Sequence, residues 1–409
     1  MKFALYTNLV SPHTVPLAAE LRKLFGEFSY IYQNHGGEPL RTESALVPIQ
    51  DCAVCAADYP VEAKHILHNC DVLLTGVRDF DLMQKRTELG LLTIYQSERW
   101  FKPVCLTAIS DSENARSGIW VSGFLKNLLP FAIRRAFRMI KLLRSKHFMY
   151  LPIGIHAAKD MARMCGLFSG DWRCLFRAPR VDFERRAGGR VWMSNCSASQ
   201  RRYCLDRMRM WGYYVSQSNA NLTVRKPQPL DASQVVRVLW VGRFLSLKRV
   251  DVIIKAVAEC TKLRCSRGMH LPEIRLDIYG EGPEETRLKE MSFRCAETIQ
   301  FFPPVPIAEV RRIMRGHDVF VLSSNAFEGW GAVVNEAIEE GMCVFGTYEA
   351  GASATILSER FLFHSGDWKR LRDLLIESAE LSKWVNGIGS WSAEEAARTL
   401  AKVVAEVRK

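Results

Sequence analysis

Short apolar runs alternate with helix-length amphipathic stretches along most of this 409-residue chain, and no other feature restricts its fold so much. Lys2–Asn8 alternates well enough for a buried strand, and Pro16–Phe25 follows it with helical spacing. Asp71–Thr75, Leu91–Ser97, Met149–Ile153 and Val191–Asn195 are further apolar runs separated by helix-like stretches. Strand–helix alternation of this kind predicts a parallel sheet covered on both faces. The run Lys226-Pro227-Gln228-Pro229-Leu230-Asp231, polar and broken by two prolines, reads as a linker. Beyond it the alternation restarts. Strands are expected at Val236–Val241, Ile274–Tyr279, Ile299–Phe302, Asp318–Ser323 and Cys343–Thr347. Helices are expected at Arg249–Leu263, after Glu284, at Ala308–Met314 and at Val333–Glu340.

The expectation is an α/β protein of two Rossmann-like doubly wound lobes, 1–225 and 232–390, facing each other across a cleft at the carboxyl ends of their strands. Ser392 with Glu395 makes a capping box, and Ala397, Leu400, Ala401, Val404 and Val407 share one helical face. A helix at 392–409 is therefore expected to pack back on the first lobe.

Apolar residues at 48% and charged residues at 24% are ordinary globular values, which excludes a disordered or low-complexity chain. The charge is unevenly spread. Residues 1–220 carry 30 Lys and Arg against 19 Asp and Glu, and the remainder 26 against 25, so nearly all of the net +12 lies in the first half. That half is expected to face something anionic. Met1 to Val10 does not read as a secretory signal, and no apolar run is long enough for a membrane span. The twelve cysteines then read as reduced thiols of a cytoplasmic protein. Cys52 and Cys55 form a C-x-x-C with no second pair at zinc spacing, and they read as small core residues.

The chemistry concentrates in the second half. Gly242-Arg243 closes a strand, and Lys248 follows near the start of a helix. Two cations at a strand–helix turn suit a diphosphate, because they neutralise it while helix amides donate to its oxygens. Glu328-Gly329-Trp330-Gly331-Ala332-Val333-Val334-Asn335-Glu336 holds two carboxylates eight residues apart, astride a glycine-containing turn that opens a helix. A carboxylate serves hydroxyls better than phosphates. Glu328 and Glu336 therefore suit two polyols on either side of a diphosphate, which is the layout of a nucleotide-sugar.

Gly242-Arg243 through Lys248, the turn Tyr279-Gly280-Glu281-Gly282-Pro283 and the Glu328-x7-Glu336 element resemble family 4 glycosyltransferases (GT4), in that order and at family spacing. Gly341, Gly351 and Ala352 fit as well, and the resemblance covers residues 236–358. It implies a GT-B fold, a retaining sugar transfer, and neither a metal nor any other cofactor, the nucleotide-sugar being a substrate. It also implies roles. Arg243 and Lys248 would stabilise the departing diphosphate, with Gly242 beside them. Glu328 would hold hydroxyls of the donor sugar, with Gly331, Ala332 and Val333 nearby. Glu336 would take the ribose hydroxyls, and Tyr279, Gly280, Gly282, Pro304 and Val305 would lie near the base. The leaving phosphate would itself help to deprotonate the acceptor, leaving charge stabilisation and positioning to the protein. The donor expected is a UDP-sugar rather than a GDP-sugar, and the acceptor a glycan or lipid-linked saccharide of surface polysaccharide or glycolipid assembly.

The first half departs from the family's commoner double-glycine loop. Asn8, Ser11, Pro12 and His13 stand after the first strand, and Gly36-Gly37 comes only later, after His35. Ser11, His13, Glu98 and Arg99 are the acceptor-side candidates, and His156 reads as either a local cap or a ligand. From Lys126 to Lys146 there are seven Lys and Arg and no acid. Arg134, Arg135, Arg138, Lys141 and Arg144 cover one side of a helix, with Ile133, Ala136, Met139, Ile140 and Leu143 opposite. Two readings fit: a peripheral helix on an anionic membrane, at its inner face, or a sheet-covering helix with a solvated side. Nucleic acid is not expected, since no binding signature accompanies the charge. The nearest alternative function is another GT-B enzyme such as a nucleotide-sugar epimerase; a polyanion-binding protein is a weaker one.

Overall fold

In the computed structural model, residues 1–34, 47–100, 130–175, 180–194, 207–215, 235–267, 271–295, 297–379 and 391–408 are described. The expected linker at 226–231, and Gly36-Gly37 with His35, lie outside them. The described residues fall into two compact units. One runs to Val215 and includes the C-terminal helix; the other holds 235–379.

The first unit contains β1 (Lys2–Thr7), α1 (Val15–Leu24), β2 (Glu27–Tyr32), β3 (Ala53–Cys55), α2 (Pro60–Asn69), β4 (Val72–Thr75), α3 (Phe80–Glu88), β5 (Leu92–Ser97), α4 (Pro130–Leu143), β6 (Phe148–Pro152), α5 (Ile155–Phe168), β7 (Arg180–Phe183) and β8 (Val191–Ser194). Its six parallel strands run in the order β3-β2-β1-β4-β5-β6. Every residue of β4, β5 and β6 is buried, as expected of strands covered on both faces. β2 and β3 complete the sheet without having been singled out in the sequence. Val191–Ser194, expected among the parallel strands, instead pairs antiparallel with β7 in a separate ribbon. A short apolar run does not itself specify its partner, and here a nearby strand supplies one.

Arg86 on α3 is completely buried and ties this lobe together. Its guanidinium donates to the carbonyls of Leu67 (2.7 Å), Cys70 (2.8 Å) and Leu92 (3.3 Å), and its Nε to the Thr93 hydroxyl (3.2 Å). Burial pushes its pKa down. Cys165 is disulfide-bonded, so the expectation of reduced thiols throughout fails at that residue. Cys52 donates to the Ile49 carbonyl at 3.2 Å, and both it and Cys55 are free thiols.

The second unit contains β9 (Val235–Val241), α6 (Val250–Arg267), β10 (Glu273–Tyr279), α7 (Glu285–Ser292), β11 (Ile299–Phe302), α8 (Ile307–Met314), β12 (Val319–Leu322), α9 (Val333–Glu339), β13 (Cys343–Thr347), α10 (Gly351–Ile356), β14 (Leu362–Phe363) and α11 (Trp368–Glu377). Its parallel order, β11-β10-β9-β12-β13-β14, repeats the order of the first sheet strand for strand. Each sheet is thus doubly wound about its own first strand, with a switch point between β1 and β4 in one and between β9 and β12 in the other.

The last helix, α12 (Ala393–Arg408), packs on α1 of the first lobe. The Ser392 hydroxyl accepts the Glu395 N–H at 3.1 Å, as the capping box requires. The buried stripe is Ala393, Ala396, Ala397, Leu400, Val403 and Val404. Ala401 and Val407, expected on the core face, are only half-buried, so the stripe is rotated from the expected one. No helix among the described residues is long and apolar enough to cross a membrane.

Candidate active site

The second lobe's site grows from its switch point. β9 ends at Val241 and β12 at Leu322, so the segments after them emerge side by side at the carboxyl edge of the sheet. After β9 come Gly242, Arg243 and the short 3-10 turn Ser246–Lys248. After β12 come Ser323, Ser324, Asn325 and Glu328. Cross-bonds hold the two segments together: the Ser323 hydroxyl donates to the Lys248 carbonyl (2.7 Å), and the Asn325 N–H to the Leu247 carbonyl (2.9 Å).

Fixed in this way, Lys248 and Glu328, 80 residues apart, form an ion pair of 2.5 Å. The same carboxylate oxygen accepts the Ser324 hydroxyl at 2.8 Å. The side chains are 22% and 13% exposed, so the pair is shielded yet reachable. Arg249, next in the chain, takes a left-handed backbone (φ 50°) and pairs with Asp251. Such a conformation is uncommon for a residue with a side chain. The Arg243 side chain is exposed and makes no hydrogen bond or ion pair with the described residues, while its carbonyl accepts the Leu245 N–H at 2.8 Å.

The second predicted turn meets the first by close backbone approach. A Cβ on Gly280 would stand 1.9 Å from the Gly242 carbonyl oxygen, so only glycine fits there. Gly242 N–H donates to the Tyr279 carbonyl (3.0 Å), and Phe244 N–H to the Glu281 carbonyl (2.7 Å), which brings Gly282 against Phe244. Tyr279 stacks on Phe302, ring centroids 4.6 Å apart. Phe302 ends β11, and exposed Pro304 and half-buried Val305 follow it. Tyr279, Gly280, Gly282, Pro304 and Val305 thus share the carboxyl edge of β10 and β11.

The glycine turn before α9 is held from the other side. Gly351 and Ala352, at the start of α10, donate to the carbonyls of Gly329 (3.2 Å) and Trp330 (2.7 Å). A Cβ on Gly351 would come within 2.4 Å of the Gly329 oxygen. Trp330 is buried, and its indole N–H donates to Asn335 at 2.9 Å. The half-buried Gly331, Ala332 and Val333 make no backbone N–H bond among the described residues. These are donors a ligand can use.

Glu336 lies on α9 itself and is buried. Burial pushes its pKa up to about 7; Arg311 pulls the other way and Glu340 adds to the rise. Arg311 is engaged by Glu340 (2.5 Å), which also takes Arg315 (2.6 Å). Glu336 therefore combines carboxylate chemistry with a pKa close to neutrality.

In the first lobe the structure joins two of the four acceptor-side candidates through a residue that sequence reasoning missed. Tyr213 donates its hydroxyl to Glu98 (3.1 Å), and its ring stacks on His13 at 6.2 Å. Burial and the Glu98 charge raise the phenol's pKa, and burial lowers that of His13. Ser11 accepts the His13 backbone N–H at 3.2 Å, a local turn contact. Arg99 turns the other way, to Asp160 at 3.8 Å. His156 lies in the first turn of α5, where Gly154 is the cap residue.

α4 turns the basic residues of this stretch outward and its apolar residues inward. Ala136, Met139, Ile140, Leu142 and Leu143 are buried, while Arg134, Arg135, Lys141 and Arg144 are exposed. The apolar face belongs to the lobe's own core, where α4 meets α3, α5 and β6. It is a sheet-covering helix with a basic outer face; Lys126 and Ile133 lie outside the described side chains.

Two Rossmann-like lobes with this strand order, and a cation–carboxylate pair at the second switch point, define the GT-B fold class. Residues 225–385 match the family described as "Glycosyl transferases group 1". The chain is 31% identical over 111 residues to the GtfA subunit of the UDP-N-acetylglucosamine–peptide N-acetylglucosaminyltransferase of Streptococcus pneumoniae serotype 4. It is 29% identical over 109 residues to the same subunit from Streptococcus agalactiae. Each match covers 27% of this chain and 20% of the relative, so the chain aligns with about a fifth of those proteins. Among solved structures, Anabaena Alr3699/HepE in complex with UDP and glucose is similar at a TM-score of 0.55 and 12% identity, covering 100% of this chain and 99% of that one. The apo lipopolysaccharide outer core galactosyltransferase WaaB is similar at a TM-score of 0.52 and 11% identity, covering 98% and 95%.

Proposed function

We propose that this protein is a retaining glycosyltransferase of the GT4 kind that moves a sugar from a UDP-sugar to a glycan or lipid-linked acceptor of surface polysaccharide or glycolipid assembly. The observation that carries the reading is the Lys248–Glu328 pair at the switch point of a glycosyltransferase domain, with Arg243 exposed beside it. Lys248 and Arg243 meet the charge that grows on the diphosphate as the sugar leaves. Glu328, steadied by Ser324, takes hydroxyls of that sugar. The free amides of Gly331, Ala332 and Val333 receive phosphate oxygens, and Glu336 takes the ribose. Tyr279 and Phe302, with Gly280, Gly282, Pro304 and Val305, flank the base. The diphosphate's charge is met by side chains and amides, and no metal enters the scheme. Ser11, His13 and Glu98, with Tyr213, serve the acceptor's hydroxyls.

UDP is favoured over GDP because the streptococcal relatives are named for UDP-N-acetylglucosamine and HepE was solved with UDP. The glycosyl transferase match favours transfer over epimerisation. The basic face of α4 suits work at the inner, anionic surface of a membrane. The test is thermal-shift screening against UDP, GDP, ADP and their sugars, with proton magnetic resonance of the product anomer. UDP-sugars should stabilise most and the product should keep the donor's configuration. Stabilisation by none of them, or an inverted product, would overturn the proposal.

A further inference from the structure

Arg249 is the one residue other than glycine that takes a positive φ among the described residues (φ 50°, ψ 44°). Glycine enters that region freely, whereas a side chain makes it costly. The strained residue joins the 3-10 turn Ser246–Lys248 to α6, directly after the lysine that pairs with Glu328. Backbone strain of this kind persists only where surrounding contacts hold it, and it gathers at functional sites.

Two sets of contacts hold it here. The peptide between Lys248 and Arg249 is fixed at both ends: its carbonyl accepts the Ser323 hydroxyl at 2.7 Å, and its N–H donates to the Ser246 carbonyl at 3.3 Å. The φ of residue 249 orients that peptide relative to α6, so the left-handed bend and the Ser323 bond stand or fall together. The second set comes from the side chain. Arg249 donates its Nε to Asp251 Oδ1 (3.1 Å) and its Nη2 to Asp251 Oδ2 (3.2 Å), a two-pronged guanidinium–carboxylate fork. Asp251 is buried in the first turn of α6, where a carboxylate also suits the helix N-terminus. Val252, Ile253, Ile254, Ala256 and Val257 bury that helix in the lobe, so the fork ties the bend to an anchored element.

We propose that the Arg249–Asp251 fork is a clamp that holds the left-handed bend and, through it, presents Lys248 to the donor's diphosphate. Arg249 is then a positioning residue whose guanidinium is committed to Asp251, not a third phosphate ligand beside Arg243 and Lys248. With the bend released, the Lys248 carbonyl leaves Ser323 and the ammonium leaves Glu328, and the lysine meets the phosphates from scattered positions. The clamp belongs to the lobe itself; its service to a diphosphate rests on the transferase reading.

Three variants of the full chain separate a clamp from a ligand. Asp251→Asn removes the fork's charge and one acceptor oxygen. Arg249→Lys keeps a cation but loses the fork, and it serves where Asp251→Asn unfolds the lobe. Asp251→Asn combined with Arg249→Gly removes both the clamp and the need for it, since glycine takes the bend freely. UDP is titrated calorimetrically into each. Asp251→Asn and Arg249→Lys should each weaken UDP about fivefold, as when the competent bend is populated about one time in five, and the combined variant should return to within about twofold of the wild type. A pair that only stabilised the fold would not be rescued by glycine. Unchanged UDP affinity in either folded single variant overturns the proposal. A combined variant as weak as Asp251→Asn also overturns it, because restoring the bend would then not restore the site. Crystal structures of the unliganded wild type and of a folded single variant read the clamp without any donor. In the variant, residue 249 should leave positive φ and Lys248 Nζ should stand beyond the roughly 4 Å of an ion pair with Glu328. An unmoved bend and ion pair overturn the clamp. Failure of UDP to bind even the wild type would strike the transferase reading, and these structures would still decide the clamp.

Discussion

Lys248 and Glu328 already neutralise each other before any donor arrives, so a bound diphosphate competes with a carboxylate for the lysine. The two glutamates of the Glu328-x7-Glu336 element are expected to separate experimentally. Glu328→Gln should leave UDP affinity nearly intact and depress sugar transfer, whereas Glu336→Gln should weaken UDP itself. Calorimetry on both variants decides: a loss confined to Glu328→Gln would mean that the sugar and ribose ends are exchanged, and equal losses would overturn the separation. Glu336 also sets a pH dependence. Folding raises its pKa from an ordinary 4.5 to about 7, so the folded chain holds this proton more firmly than the unfolded chain. The resulting stability is complete below the unfolded value and is lost as pH rises through about 7, up to about 3 kcal/mol between the limits. Glu336→Gln should therefore flatten the decline in urea-unfolding stability between pH 5.5 and 8, and an unchanged decline would remove Glu336 as its source. A ribose needs the ionised acceptor, so affinity for a UDP-sugar, whose diphosphate does not titrate here, should rise across the same window.

At the scale of elements, α3 and α4 carry opposite kinds of basic residue. Arg86 on α3 is structural: Arg86→Met leaves the Leu67, Cys70 and Leu92 carbonyls without this donor. The loss should be about 3 kcal/mol or more in denaturant unfolding of the first lobe, and a change under 1 kcal/mol would show that water replaces the side chain at about no cost. The basics of α4 face outward, except that Arg138 is drawn to Asp81 and lies over the Phe80 ring. Changing Arg134, Arg135 and Lys141 to Gln should reduce sedimentation with anionic vesicles, each residue contributing about 1 kcal/mol near such a surface. High salt should abolish the binding of the unaltered protein, and neutral vesicles should bind neither. Equal sedimentation of both proteins would leave α4 as a solvated helix face. The amphipathic period of α4 was legible in its residues, but which face met what was not. That depended on α3, α5 and β6, which come from other parts of the chain.

Across the whole molecule, the second lobe was more legible than the first, for a physical reason. Its strands, turns and glycines follow one another at short range, and the backbone contacts of Gly280 and Gly351 demand glycine whatever surrounds them. The first lobe's polar cluster joins Glu98 to Tyr213 across 115 residues, a distance no local spacing reveals. β8 took its partner from β7, a strand just upstream that its own apolar run does not reveal. Ser323 and Ser324, which steady Lys248 and Glu328, left a faint signal in two hydroxyls directly after an apolar strand. The central claim is that the second lobe grips a nucleotide-sugar by its diphosphate. Calorimetric titration of UDP-glucose or UDP-N-acetylglucosamine into the wild type and into Arg243→Ala tests it most directly. The account predicts one donor per chain and an affinity at least about tenfold weaker in the variant, from a lost charge-assisted contact of about 1.5–3 kcal/mol. Equal affinity in the two proteins would contradict it.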